Sequence, residues 1–379
     1  MNAIHEFSPS RAELDAFAAE LDALLRETRE SLGDADLVHL ARVERMGRLA
    51  TALGYATAWI APNPVSMALL STGRFTRWAM VGHHVSHRGY DRVPNVPEER
   101  RSRSFAVGKR RFVDWLDWID PEAWAHEHNK LHHYRLGETA DPDLVEQNLD
   151  WLRDSNLPMP LRYAIVAFFA STWKFSYYAP NTLRVLLQAE REKAGPHGDA
   201  DAEPISLASM FTRSELWTRC FLPYAGVQFG LVPLLFAPLG PAAVGNVLAN
   251  SLGAELLTNL HAFVVITTNH AGEDVYSFET PVRAGRGEFY ARQAAGSVNF
   301  RTGTELVDFL HGYLNYQIEH HLFPDLPMLA YRRIQPKVKA ICEAHGVPYL
   351  QESIGTRLRK TLDVMVGKTG MRRSRHTPA

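Results

Sequence analysis

The chain has 379 residues, a formal net charge of −1, and 17 histidines against two cysteines. Balanced charge argues against a nucleic-acid partner. Cys220 and Cys342 lie far apart and form no CxxC pair, which argues against a disulfide framework, an iron–sulfur cluster or a zinc ribbon. Any bound metal must therefore be held by imidazole, which suits iron, zinc, copper or nickel.

Met1 to Ser10 is mixed and polar, with no basic stretch followed by an apolar one. Residues 8–45 read as amphipathic helix. Ser10 and Glu13 make a capping box, Leu14, Phe17, Leu21 and Leu24 recur at helical spacing, and Gly33-Asp34 punctuates the pattern before a second helical stretch from Asp36. Residues 49–61 are uncharged and end at Pro62-Asn63-Pro64; a weaker apolar run, Val65 to Val81, includes Arg74 and Arg77. A hairpin of two short membrane spans is expected.

Residues 161–178 are apolar but carry Arg162, Lys174 and Tyr177-Tyr178, so an interfacial helix is expected. From Cys220 to Asn269 the only formal charge is Glu255. Roughly 20 residues cross a bilayer, so this stretch is long enough for two spans, with Pro238-Leu239-Gly240-Pro241 as the turn. The mean hydropathy of −0.21 is low for such a protein because the apolar residues are concentrated in these few segments. Eleven Lys and Arg fall in residues 82–160 and none in the two proposed turns. The positive-inside rule then puts the polar mass on the cytoplasmic face. The expected organisation is an amphipathic segment (1–45), a membrane domain (46–355) and a basic, solvated tail (356–379) with Lys368, Arg372, Arg373 and Arg375. The fold class is all-α: about four spans with a helical cytoplasmic cap.

Eight histidines sit in three clusters: Gly82-His83-His84-Val85-Ser86-His87, His128-Asn129-Lys130-Leu131-His132-His133 and Gln317-Ile318-Glu319-His320-His321. Residues three and four apart share a helix face, so each cluster can aim two or three side chains at one point. The third extends a stripe of Leu306, Phe309, Leu310, Tyr313 and Leu314 on a helix ending at Pro324. Polar groups on such an inward face need a partner, and a metal supplies one. Eight histidines and a glutamine exceed one coordination sphere. Two metals are expected, with iron favoured because imidazole-rich open sites suit O₂ chemistry and zinc has no redox chemistry.

The pattern HxxxH, HxxxHH, QxxHH resembles the integral-membrane fatty acid desaturases. The run Asn315-Tyr316-Gln317-Ile318-Glu319-His320-His321-Leu322-Phe323-Pro324 is similar to the third histidine box of the front-end acyl desaturases. Gln293, Asn299-Phe300, Asp141-Pro142-Asp143 and the segment Pro336 to Tyr349 are also similar to that family, and the likeness spans roughly residues 82 to 349. The resemblance implies a helical membrane base with a cytoplasmic cap, two irons, O₂ as co-substrate and a fatty acyl lipid or thioester substrate. It implies His83, His87, His128, His132, His133, His320 and His321 as ligands, Gln317 as a direct or water-mediated ligand, and His270 as the family's extra histidine. With no HPGG haem motif and no haem or flavin expected, it implies electrons from a separate carrier such as ferredoxin or cytochrome b5.

Two departures stand out. His84 replaces the family's usual Asp, so any two of His83, His84 and His87 remain available as ligands. The second box has three residues before its doublet where front-end enzymes have two, and Glu127 to His133 is also similar to membrane alkane hydroxylases. His261 reads equally as a core histidine or as a support for the metal site. Asp143, Glu319, Glu273 and Asp274 are candidates to accept a ligand histidine's second ring N–H. His126 and His311 are read as bland, and His5, His39, His197, His345 and His376 as surface residues. The alternatives to desaturation are hydroxylation of alkanes or lipids, and a non-enzymatic metal transporter or sensor. The latter would want its ligands at bilayer depth, whereas these clusters lie in polar segments.

Overall fold

The computed structural model describes residues 10–193, 204–283 and 285–374, and it is mostly helical. His5, His197, His376 and Arg375 lie outside the described residues. Helix α1 (Arg11–Glu30) starts at the expected capping box, with Leu14, Phe17, Leu21 and Leu24 buried. Helix α2 (Asp34–Ala58) runs unbroken through residue 45, so the boundary expected there is not a break in the chain. Asn63 caps helix α3 (Pro64–Phe75), which continues through a π-helical stretch, Thr76–Gly82, and a last turn, His83–Ser86. Helices α2 and α3 pack against each other as a hairpin. They touch through glycines: a Cβ on Gly47 would meet Thr76 at 2.7 Å and one on Gly54 would meet Leu70 at 2.8 Å. Small residues let helix backbones approach this closely.

Helix α4 (Pro121–Glu127) passes into a π-helical stretch, His128–His132, that carries the second cluster. Helix α5 (Met159–Trp173) also continues through π geometry, Lys174–Tyr178, into Ala179–Lys193. The helical run Ser214–Leu239, α6, is the one helix among the described residues that is long and apolar enough by itself to cross a membrane. Helix α7 (Pro241–Ile266) is equally long but interrupts its apolar sequence with Asn250, Glu255 and Asn259, all buried. Their side chains point into the protein. Glu255 accepts from Arg74 Nη1 (3.0 Å), Trp118 Nε1 (2.8 Å) and Tyr224 Oη (2.6 Å). A buried carboxylate needs such partners, and here they tie α3, α6, α7 and the 115–120 segment together. Trp173 Nε1 on the Asn259 carbonyl (3.0 Å) fastens α5 to α7.

The polar C-terminal third packs over one end of this bundle. Strand β1 (Tyr276–Phe278) pairs in parallel with β4 (Arg372–Ser374), and β2 (Val298–Phe300) with β3 (Leu350–Glu352). Between them lie helices α8 (Arg286–Ala295), α9 (Gln317–Leu322), α10 (Met328–Ala344) and α11 (Ile354–Met365). Residues 356–374, expected as a solvated tail, are thus docked by α11 and β4. The stripe leading to the third cluster is also interrupted. A short helix, Glu305–Leu310, stops at Gly312 and Tyr313, both left-handed (φ +66° and +60°), and α9 begins afresh. Leu306 and Leu310 are accordingly exposed while Tyr313 and Leu314 are buried. Gly312 is required there, because its Cβ would lie 2.9 Å from the Phe75 ring.

Candidate metal centre

The last turn of α3, the π-helical end of α4 and helix α9 converge, and their histidines face one another. Ring nitrogens of His83, His87, His128, His133 and His320 all lie within 4.8 Å of one another. A second group, His132, His270 and His321, meets the same criterion beside it, and His128 and His132 form a third with Asp143. The groups are contiguous, the His133 and His321 rings being stacked 4.2 Å apart. His83 Nε2 and His320 Nε2 face each other at 2.9 Å. The Gln317 amide reaches His270 Nε2 at 2.8 Å, and its Oε1 has no hydrogen-bond partner.

Partners outside the cluster fix the ring orientations. His132 Nδ1–H donates to Asp141 Oδ1 (2.9 Å), His321 Nδ1–H to Gln293 Oε1 (3.0 Å) and His320 Nδ1–H to the Tyr331 hydroxyl (3.2 Å). Each bond sets the tautomer and turns Nε2 inward, the arrangement expected of metal-binding imidazoles. Trp124 stacks on His128 at 4.6 Å. His87 Nε2, His321 Nε2 and both nitrogens of His128 and His133 are buried without a hydrogen-bond partner. Groups buried this way cost free energy unless something satisfies them. Burial, reinforced by neighbouring imidazoles, drives the basicity of His83, His87, His128, His133, His320 and His321 well below the ordinary histidine value. The rings are therefore neutral and present lone pairs. His132 differs: burial pulls it down, but the adjacent Asp141 carboxylate more than offsets this. Buried imidazoles that are neutral apart from His132, several of them with unsatisfied nitrogens, fit a metal centre.

A model of the fatty acid desaturases matches residues 57–353. The chain belongs to the fatty acid desaturase family. This desaturase is 28% identical over 361 residues, 92% of its own length and 78% of the relative's, to the NADPH-dependent stearoyl-CoA 9-desaturase of Mycobacterium tuberculosis. It is 26% identical to the Delta(5) fatty acid desaturase A of Dictyostelium discoideum over 60% of this chain and 48% of that one. A shorter match, 56% identical over 43 residues, links it to fatty acid desaturase 3 of Bos taurus, covering 11% of this chain and 10% of that one. Family membership makes the protein an oxidoreductase.

The structure sorts the remaining sequence candidates. In the first box His83 and His87 enter the cluster, whereas His84 Nδ1–H donates to the Met80 carbonyl (2.7 Å). His84 Nε2 is buried, but outside the three groups. His261 stacks on Phe75 at 4.1 Å and its Nε2 lies 2.6 Å from the Leu310 carbonyl, so it is a packing residue. Glu319 accepts from Asn299 Nδ2 and Tyr349 Oη (both 2.8 Å) and lies outside the three groups. Burial pushes it up to about 7. Asp274 is bound by Arg357 and Lys360, and Glu273 is exposed. Two residues expected at the surface are not free there. His39 is buried with Nε2 against Glu305 Oε1 and Tyr313 Oη (both 3.0 Å), and His345 meets Glu20 at 3.0 Å. His311 is bonded locally to the Val307 carbonyl.

Sequence reasoning missed Trp124, Tyr331 and Glu127, and did not single out Asp141 from its Asp141-Pro142-Asp143 run. Glu127 is fully buried, and burial beside Asp143 pushes its carboxyl well above the usual range.

A cavity of about 460 Å³ opens onto the cluster. His83, His128, His132, His270 and Gln317 form one wall; Leu149, Leu152, Ile165, Val166 and Phe169 form much of the rest. Its size is that of a small-molecule site, and its lining is mostly apolar, with Asp143, Asn148, Thr172, Ser176 and Tyr177 among its polar residues.

Proposed function

We propose that this protein desaturates fatty acyl chains with O₂ at a centre of two irons. One is held by His83, His87, His128, His133 and His320, the other by His132, His270 and His321 with Gln317. The observation that carries this reading is the junction of the two features above: a cluster of buried imidazoles forms one end of a largely apolar cavity. When bound, the irons supply the redox chemistry that takes up O₂ and removes two hydrogens from adjacent methylenes. The net reaction also consumes two electrons and two protons and releases two waters. The electrons come from an external carrier.

The chain's own residues do the rest. Apolar contacts along Val166 and Phe169 hold a methylene chain straight past the imidazole wall and exclude water from it. Asp141, Gln293 and Tyr331 keep the ligand rings from turning. Residues 49–58 of α2 with α3, and α6 with α7, form a four-span base, with residues 82–160 and 269–374 on its cytoplasmic face and α5 at the interface. The exposed Met159, Leu161 and Phe168 on α5 support that placement.

Expression in a host of defined lipid composition, with mass spectrometry of its fatty acids, tests the reaction: a new double bond is expected, and a hydroxylated product would favour the hydroxylase alternative. The purified protein should carry about two irons per chain. Stoichiometric zinc, with activity that survives iron chelation, would overturn the centre. Labelling that put residues 150 and 325 on opposite faces would overturn the topology.

A further inference from the structure

The segment from Ala106 to Asp114 is a closed finger that contributes no residue to the histidine cluster. The buried Asp114 carboxylate accepts the Ala106 N–H (3.1 Å) and both arms of Arg110 (2.9 Å each), which clamps its base. Ala106 is held left-handed at φ +58°, a conformation that costs a residue with a Cβ roughly 1–2 kcal/mol and persists only where its surroundings impose it. The finger is therefore built rather than slack. It presents Val107, Phe112 and Val113 outward, at 59%, 50% and 71% exposure. Lys109 at the tip is exposed and makes no ion pair or hydrogen bond among the described residues.

Its position is fixed by a charge relay. Arg111 Nη1 binds Asp120 Oδ2 (3.1 Å), and Asp120 Oδ1 binds Arg219 Nη2 (3.0 Å). Arg219 lies near the start of the apolar helix Ser214–Leu239, beside the exposed Trp217. Tryptophan at the end of such a helix marks the headgroup level, so the finger sits at that level too. Apolar side chains around a free cation match the boundary between acyl chains and anionic headgroups.

We propose that residues 107–113 are a membrane-inserting finger: Val107, Phe112 and Val113 enter the headgroup–acyl boundary, and Lys109 holds the phosphate of an anionic phospholipid. This rests on the membrane reading above, and the test separates the two. Full-length protein is placed in nanodiscs with an environment-sensitive fluorophore on Val113→Cys, or on Leu231→Cys within the apolar helix as reference. Cys220 and Cys342 are buried, and the parent protein controls for their labelling. Acyl-brominated phosphatidylcholine or phosphatidylglycerol serves as quencher. The expected result is quenching at both positions, stronger at Val113 by phosphatidylglycerol, with Lys109→Glu reducing that preference about fivefold.

Quenching at Leu231 alone would overturn the finger and leave the membrane reading intact. Quenching at neither would overturn both. Equal quenching by the two lipids, unchanged by Lys109→Glu, would overturn the phosphate contact. A Val113 label shielded only when an acidic redox protein is added would assign this face to a protein instead.

Discussion

His132 and Asp141 are joined by a 2.9 Å hydrogen bond between two buried side chains, and that bond is one of three that Asp141 accepts. The others come from the backbone N–H groups of Gly137 and Asp143, each at 2.9 Å. The carboxylate is thus immobilised by backbone before it orients the ring. Asp141→Asn removes the charge while keeping the shape. We expect iron affinity to fall about 10–100-fold, read by competition with a chelator, with the fold retained by circular dichroism. Unchanged affinity would show that the ring needs no such support.

Ligands and bystanders separate at α9. His320→Ala should empty its site and abolish turnover, since no neighbour on a fixed helix can replace the lost nitrogen. Gln317→Leu should weaken the site containing His270, whereas Gln317→His restores an imidazole at the same place and should retain iron. His345→Ala removes a ring contact with Phe17 and a hydrogen bond to an exposed glutamate, neither of which involves the cluster, and should leave metal content unaltered. Iron content and product yield, measured side by side, give the answer. Full iron and full activity in His320→Ala would refute the assignment.

The apolar cavity makes a separate prediction about substrate. Val166 is buried on α5 and lines the cavity. Val166→Trp adds bulk in the path proposed for the acyl chain. Product profiles should shift toward shorter chains while iron content stays constant. An unchanged profile would place the chain elsewhere.

Acid should weaken the cap through His39. Burial lowers its basicity, and the attraction of Glu305 only partly restores it. Protonation would add a donor at Nδ1, which is buried without a partner. Because the folded state binds this proton less readily than the unfolded chain, the contribution is fully present above about pH 6.5 and is lost as pH falls through the folded value. The difference in Tm between about pH 7.5 and about pH 5.5 should shrink in His39→Gln at constant metal loading. An identical difference in both proteins would exclude His39 as the source.

Much of the centre was legible because ligand spacing along a helix is a local property. His83, His87, His128, His132, His133, His320 and His321 could be grouped from sequence alone, and Gln317 with them. Orientation was not legible. That His84 turns to the Met80 carbonyl while its neighbours turn inward depends on how far α3 is wound at that point. Tyr331 meets His320 only because α10 folds back over α9, a contact with no trace in spacing. The fold shows the same divide. Capping at Ser10 and the turn at Pro62-Asn63-Pro64 were written in adjacent residues. The parallel pairing of Tyr276–Phe278 with Arg372–Ser374 joins segments nearly a hundred residues apart and carries no local signal.

The π-helical stretch His128–His132 bears on the length of the second box. In an α-turn, positions three and four residues on straddle the starting face. Widening the ring to i→i+5 moves that straddle to positions four and five. His132 and His133 stand at those two positions from His128 and still meet the cluster, their ring centroids 5.1 and 4.9 Å from His128. A box one residue longer than the front-end pattern therefore delivers its three imidazoles to the two adjoining groups of the cluster, with the surplus residue absorbed by the width of the turn. Box length and ligand position are then separable. A histidine box can then be one residue longer and still reach the same cluster, provided the turn that carries it is widened to match.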